Sequence, residues 1–258
     1  MELLLREKVV FITASAHGLG KGIAKGFLEE GAYVVINGIS QERVNRTLGE
    51  FEETYGDHRV HAFNGDLTKN SQIKRCVKEI ISRFGRIDVL VGNLGSGRGA
   101  PEWQISEEDW DTMMDLNFYG ARRVTNEVAP YMIQNNCGSI IFISSISGRE
   151  VIGAPIHYSV AKAAVTAFAK NLSFKLAGNN IRVNTICPGN IYFENGTWDK
   201  KMKENPQGVN EMLKDRVPLQ RFAKPEDIAN LVLFVSSNKA CFMTGSCIIA
   251  DGGQTISI

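Results

Sequence analysis

Short runs of apolar, often β-branched residues alternate along the chain with longer stretches in which apolar positions recur at helical spacing. Val9-Val10-Phe11-Ile12 is the first run; a small, glycine-bearing segment follows, and then Ile23, Ala24, Phe27 and Leu28 recur every three to four residues. That pattern predicts a strand, a turn and a helix. Gly31 stops the helix, and Tyr33-Val34-Val35-Ile36 predicts a second strand before another polar helical stretch. The alternation repeats, with further strands expected at 60–63, 87–91, 140–143 and 181–186 and a short last one at 247–250. These strands are apolar almost throughout, so both of their faces are covered. The expected fold class is α/β: a single-domain, Rossmann-like, doubly wound parallel sheet of about seven strands with helices on both faces.

No internal repeat, low-complexity tract or Pro/Gly-rich linker divides residues 1–258, so one domain is expected over the whole chain. The irregular stretch is roughly 192–221, with Pro206, Gly208, Pro218 and many charges. A segment of that length between regular units reads as a substrate-loop insertion, a lid or binding element. The pattern also predicts two long helices, over about 109–134 and 157–177.

Charge and cysteine usage then narrow the partners. Lys and Arg total 29 against 28 for Asp and Glu, so no one-signed field attracts nucleic acid or an anionic membrane, and a small-molecule partner is expected. The five cysteines, Cys76, Cys137, Cys187, Cys241 and Cys247, are scattered and have no CxxC spacing; they read as free thiols of a reducing compartment. His17, His58, His61 and His157 never join them at zinc-ligand spacing, so no metal is expected. Leu3-Leu4-Leu5 runs straight into Arg6, Glu7 and Lys8, too short for a secretory or membrane segment, and the expectation is a soluble, cytoplasmic protein.

Three segments carry candidate chemistry. Thr13-Ala14-Ser15-Ala16-His17-Gly18-Leu19-Gly20 follows the first strand and opens a helix, whose unpaired N–H groups and positive dipole end suit a pyrophosphate. Tyr158 and Lys162 are four apart in an expected helix and share a face, so the ammonium can favour the ionised phenol. An ordinary exposed helix pair has the same spacing. Ser144-Ser145-Ile146-Ser147-Gly148 directly follows the strand Ile140-Ile141-Phe142-Ile143, where a hydroxyl points into the crevice beyond the carboxyl ends of the strands. Ser145 is the candidate there, and a plain serine-rich turn is the alternative.

Together these segments resemble the short-chain dehydrogenase/reductase family, in its 3-oxoacyl-[acyl-carrier-protein]-reductase-like branch, from about Lys8 to Gly253. Asn117, in Met114-Asp115-Leu116-Asn117, resembles the asparagine of the family's catalytic tetrad, with Ser145, Tyr158 and Lys162 as the other members. The intervals of 28 residues from Asn117 to Ser145 and 13 from Ser145 to Tyr158 fit the family's layout. The resemblance implies cofactor contacts from Thr13, Ser15, His17, Gly18, Leu19 and Gly20, from Asn37, Gly38 and Ser40, and from Asp66 and Leu67. Asn93 and Gly95, Pro188, Gly189 and Ile191, and Tyr158 and Lys162 complete the set. It also implies an oxidoreductase that interconverts a carbonyl and a secondary alcohol, with Tyr158 moving the proton, Lys162 lowering the phenol's pKa and holding the ribose, Ser145 bonding the substrate oxygen, and Asn117 serving a water path.

Four departures stand out: Ala14 replaces the usual first glycine, Gly92 the usual first Asn, Leu94 a small residue, and Phe193 a threonine that contacts the nicotinamide carboxamide in relatives. The cofactor is expected to be NADP in preference to NAD, because Gly38 stands where NAD-dependent relatives have an acid, and His17, Asn37, Ser40 and Arg43 can meet a 2′-phosphate. Ser96, Arg98, His157, Asn190, Tyr192, Phe193 and Trp198 are expected around the substrate. A 3-oxoacyl thioester, a sugar and a polycyclic alcohol all fit that mixture, and a non-catalytic nucleotide-binding module is the alternative from another class. The apolar excess on the two long helices and the tail 245–258 suggest a homo-oligomer, as a tetramer.

Overall fold

The structure is a computed structural model that describes residues 2–99 and 102–257. Its frame is one parallel sheet of seven strands in the order β3-β2-β1-β4-β5-β6-β7. The strands are β1 (Val9–Ile12), β2 (Tyr33–Gly38), β3 (Val60–Asn64), β4 (Val89–Gly92), β5 (Gly138–Ile143), β6 (Ile181–Pro188) and β7 (Cys247–Ala250). All seven expected strands are present, and β1, β4 and β5 are buried along their full length because helices cover both faces.

One face is covered by α3 (Asn70–Phe84), α5 (Gly120–Gln134) and α6 (Ile156–Leu176), which bury Ile73, Val77, Val128, Met132, Val165 and Ala169 against Phe11, Leu90 and Phe142. The other is covered by α1 (Gly18–Glu29), α2 (Gln41–Tyr55) and α9 (Pro225–Ser236), with Ile23, Phe27, Phe51, Val232 and Leu233 against Val10, Ile36 and Ile141. α1 and α9 approach closely: a methyl group at Gly22 would stand 2.5 Å from Cβ of Pro225. The chain leaves β1 toward β2 on one side of the sheet and returns to β4 on the other, so a crevice opens beyond their carboxyl ends.

The structure differs from the sequence pattern at two places. The helix expected over 109–134 is α4 (Glu107–Met114) and α5 joined by a π-helical turn, Asp115–Tyr119; such insertions concentrate at functional sites, and Asn117 sits inside this one. The stretch 192–221, irregular by pattern, holds two helices, α7 (Thr197–Glu204) and α8 (Pro206–Arg216). Pro206 begins α8 rather than breaking it: at the first helical position its missing N–H is not needed, and the Asn205 side chain caps the turn by accepting from Gly208 N. Among the described residues no helix is long and apolar enough to cross a membrane.

Candidate active site

The glycine turn is built by side chains that bond backbone rather than solvent. Thr13 Oγ1 accepts from the amides of Asn93 and Leu94 at 2.9 and 3.0 Å, tying the end of β1 to the end of β4. Asn93 Nδ2 donates to the carbonyls of Thr13 and Ala14. Ser15 Oγ donates to Ile12 O and accepts from Asn37 N. Asn37 accepts from Ala14 N and gives both amide protons to the carbonyls of Phe63 and Gly65, so this buried side chain has no free donor for a phosphate. Thr13, Ser15, Asn37 and Asn93 thus fix the path of the turn.

That path brings α1 against the turn with no room for side chains. A Cβ on Gly20 would lie 2.5 Å from Ala14 O, and Gly18 has φ +58°. Ala14 itself sits at φ 49°, a conformation easier for the glycine it replaces. No side chain caps the N-terminus of α1, so its amides remain available to an anion. A cleft of about 990 Å³ runs from this region across the carboxyl ends of the strands. His17, Leu19, Gly20, Asn37, Gly38, Ser40, Leu67, Asn93, Gly95, Pro188, Gly189 and Ile191 line it. Thr13, Ser15, Gly18 and Asp66 lie behind that lining; Asp66 spends Oδ1 on the amide and hydroxyl of Thr68.

At the end of the cleft over β2, Gly38 puts no acid at the strand's end, where an added Cβ would meet Cβ of Ala16 at 2.9 Å, and the acid that does line the cleft there, Glu42, is paired with Arg46. Ser40 caps α2 through Arg43 N, which sets Arg43 on the cleft wall. His17 is less suited to a phosphate than its position suggests: burial, ahead of the other influences, lowers its pKa, and its Nε2 is 3.1 Å from Glu194 O. Phe193, the replacement for threonine, lies edge-on to His17 with ring centroids 5.3 Å apart and covers Gly18, whose added Cβ would be 2.7 Å from the ring. Segment 193–194 therefore straps the glycine turn from above.

At the other end, α6 presents Tyr158 and the buried Lys162 one turn apart, with Nζ 5.7 Å from the phenol ring centroid and donating to Ile143 O at 3.1 Å. Ser145, just past β5, accepts from both the amide and the hydroxyl of Ser147. Buried Asn117 accepts from Ser96 N and donates to the carbonyls of Ser96 and Met113. Gly95 lies between the two: an added Cβ would come within 2.6 Å of Asn117 Oδ1 and 2.8 Å of Lys162 Nζ. Ser145, Tyr158 and Lys162 therefore share one wall of the cleft, with buried Asn117 behind it against Gly95. Burial pushes the Tyr158 phenol above its ordinary pKa, with a hydrogen bond from Ser145 acting the other way. Burial also brings the Lys162 ammonium down to about 8. Desolvation is thus the leading influence on the phenol, in the direction opposite to the lowering expected from the lysine.

Of the expected substrate-side residues, Ser96, Arg98, Asn190, Phe193 and Trp198 line the cleft. His157 instead faces Trp110 in the interior, because the residue before Tyr158 on a helix points a quarter turn away. Tyr192 turns to Asp199, its hydroxyl donating to Oδ1 at 2.8 Å. Gln254 is a lining residue with no signal in the sequence; it accepts from Asn190 Nδ2 at 3.0 Å across 64 residues.

Residues 13–255 match the family described as Enoyl-(Acyl carrier protein) reductase. The chain is 38% identical to a 3-oxoacyl-[acyl-carrier-protein] reductase of Thermotoga maritima, covering 98% of this chain and 99% of that protein. It is 35% identical to the (2S)-[(R)-hydroxy(phenyl)methyl]succinyl-CoA dehydrogenase subunit of Thauera aromatica, covering 98% of each. L-Sorbose reductase from Gluconobacter frateurii, solved with NADPH and L-sorbose, superposes with a TM-score of 0.94 at 30% identity and full coverage of both chains. The chain belongs to the short-chain dehydrogenase/reductase family, whose members are NAD(P)-dependent oxidoreductases interconverting carbonyls and alcohols.

Proposed function

We propose that this oxidoreductase is an NADPH-dependent reductase of 3-oxoacyl thioesters in which Tyr158 supplies the proton. The observation that carries the chemistry is the convergence of Ser145, Tyr158 and Lys162 on one cleft wall, reached from the glycine turn by a continuous groove. Bound cofactor supplies the hydride. The groove suits it: α1 offers uncapped amides, Gly18 and Gly20 clear the path, and Arg43 with Ser40 stands where a 2′-phosphate needs a cation and a hydroxyl. Ser145 holds the substrate oxygen beside the phenol. Tyr158, kept protonated by burial, donates to that oxygen as charge develops. Lys162 holds the ribose, and Asn117 positions Gly95 and Ser96 beside it on the proton path to solvent.

The thioester reading draws on the acyl-carrier-protein reductase relative, which matches from end to end. A ketose is favoured by the polar Asn190–Gln254 pair and by the match to L-sorbose reductase. Initial rates with NADPH on acetoacetyl-CoA, L-sorbose and a polycyclic ketone decide between them. A kcat/KM for the ketose exceeding that for the thioester by about tenfold, roughly 1.4 kcal/mol, overturns the thioester reading. Cofactor binding by nicotinamide fluorescence without turnover on any of them overturns catalysis altogether.

The same reading includes a single domain with 192–221 as its substrate lid, and a cytoplasmic homotetramer. All five cysteines are free thiols. Tyr119, Ile133, Val160 and Phe174 are exposed on α5, α6 and the turn before α5, and apolar surface of this kind suits a two-fold contact. A monomeric mass by light scattering at micromolar concentration refutes the tetramer.

A further inference from the structure

Two thiols lie one strand apart beneath the cleft. Cys187 is in β6, directly before Pro188 and Gly189 of the cleft wall, and Cys247 opens β7. The strands are parallel with Thr185 opposite Cys247, so Cys187, two residues on, projects from the same face. Their sulfurs are 3.4 Å apart, and Arg149 Nη1 is 3.6 Å from the Cys247 sulfur. On its other side Cys187 meets the hydroxyls of Ser144 and Thr166, which in turn donate to the Lys162 carbonyl at 2.8 and 3.2 Å.

We infer that Cys187 and Cys247 form a reversible disulfide on exposure to a hydroperoxide, and that closing it slows the reaction in the neighbouring cleft. The effect on turnover rests on the function proposed above; the bond itself does not.

The two thiols are unequal partners. The contact between the two sulfurs, together with the Arg149 guanidinium, holds the Cys247 thiol below its ordinary pKa against the opposing effect of burial. Cys187 is pushed up by the same contact and by burial. At pH 7 Cys247 therefore carries more thiolate than a thiol of ordinary pKa.

The chemistry balances. The Cys247 thiolate attacks one peroxide oxygen, the O–O bond breaks, and the departing hydroxide takes a proton to become water, leaving Cys247 as a sulfenic acid. Cys187 then loses its proton and attacks the sulfenic sulfur, and a second water leaves as the S–S bond forms. Two thiols and one hydrogen peroxide thus give one disulfide and two waters, two electrons passing from sulfur to oxygen. A dithiol returns the electrons.

Bonded sulfurs stand about 2.05 Å apart, so this pair, 3.4 Å apart now, must close by roughly 1.3 Å. β7 is the edge strand with β6 as its one neighbour, so it can yield. A bridge that strains its strands is easily reduced, as a reversible control requires. Closing it draws Cys187 from Ser144 and Thr166 and pulls on Pro188 and Gly189.

The test treats the full-length protein with hydrogen peroxide, blocks remaining thiols with N-ethylmaleimide and maps peptides without reduction, beside turnover and cofactor binding. A peptide joining Cys187 to Cys247 is expected, with turnover down by about tenfold or more, since displacements on the order of 1 Å at a reacting centre carry penalties of this size. Dithiothreitol restores both. Cys247→Ser removes the bond and the peroxide sensitivity, whereas Cys241→Ser, at an exposed thiol, keeps them. In wild type, iodoacetamide labelling of Cys247 rises at a lower pH than that of an ordinary thiol. Absence of the joined peptide in oxidised wild type overturns the inference whatever the variants do, and a joined peptide with undiminished turnover overturns the control. A protein inactive on every carbonyl still answers the first question through the peptide map and cofactor binding.

Discussion

Lys162 makes the protein less stable than it could be, and replacing it by methionine measures by how much. The ammonium is buried, with one hydrogen bond to Ile143 O, and its pKa falls from 10.5 to about 8. A drop of that size corresponds to roughly 3 kcal/mol by which the folded state disfavours the charged form at pH 7. The unfolded chain binds the proton more tightly, so this penalty is fully present below pH 8. It disappears as pH rises from about 8 to 10.5. Lys162→Met keeps the length and apolar packing of the stem and removes the charge, at the expense of an unpaired Ile143 carbonyl, about 1–3 kcal/mol. The net gain is on the order of 1 kcal/mol at pH 7, which for a chain of 258 residues raises Tm by about 2 °C. The assay is thermal unfolding by circular dichroism at fixed protein concentration and several pH values, beside turnover. The variant is expected to unfold later than wild type at pH 7, to lose that advantage toward pH 10, and to be nearly inactive. A variant less stable at pH 7, or a difference independent of pH, refutes the reasoning.

Tyr158→Phe leaves the cleft intact and is expected to lower turnover by at least about a hundredfold with cofactor affinity retained; near-normal kcat would assign the proton elsewhere. Lys162→Ala weakens cofactor binding more than Tyr158→Phe does, read by fluorescence titration, and equal Kd values contradict the ribose contact. Arg43→Ala lowers kcat/KM with NADPH by about tenfold and leaves NADH unchanged, the loss expected of one charge-assisted contact to a phosphate; an equal fall with both cofactors shows that Arg43 does not meet a 2′-phosphate. Ala14→Gly relieves the positive φ at this turn and raises stability by up to about 1 kcal/mol, measured by urea unfolding, and a loss of stability would mean that the turn holds alanine without strain.

The sheet was legible because its signal is local: a strand buried on both faces must be apolar at consecutive positions, and 9–12, buried throughout, is read to the residue. Tyr158 and Lys162 were legible for the same reason, four residues on one helix. What escaped depends on contacts between distant segments. Asn37 looks like a phosphate donor until Phe63 and Gly65 claim its amide. Phe193 looks like a lost hydroxyl until its ring is seen over Gly18. Tyr158 beside Lys162 suggests a lowered phenol pKa, but spacing carries no information about burial, which here acts in the opposite direction. Cys187 and Cys247 are 60 residues apart and become neighbours only through the pairing of β6 with β7.

The strand order has a consequence for the order of events during synthesis. The ribosome releases β1, β2 and β3 first, and with Asn37 they can shape part of the glycine turn. Thr13, however, waits for Asn93 and Leu94, some 80 residues later, and Gly18 waits for Phe193. The tunnel hides further residues still, so a nucleotide groove exists only when nearly the whole polypeptide has emerged. Binding of the cofactor can therefore act as a late check on completed chains rather than a guide to early folding. Stalled chains ending before β6 are expected not to retain NADPH on a filter, and retention by such chains would show that the segments up to α6 form the groove unaided.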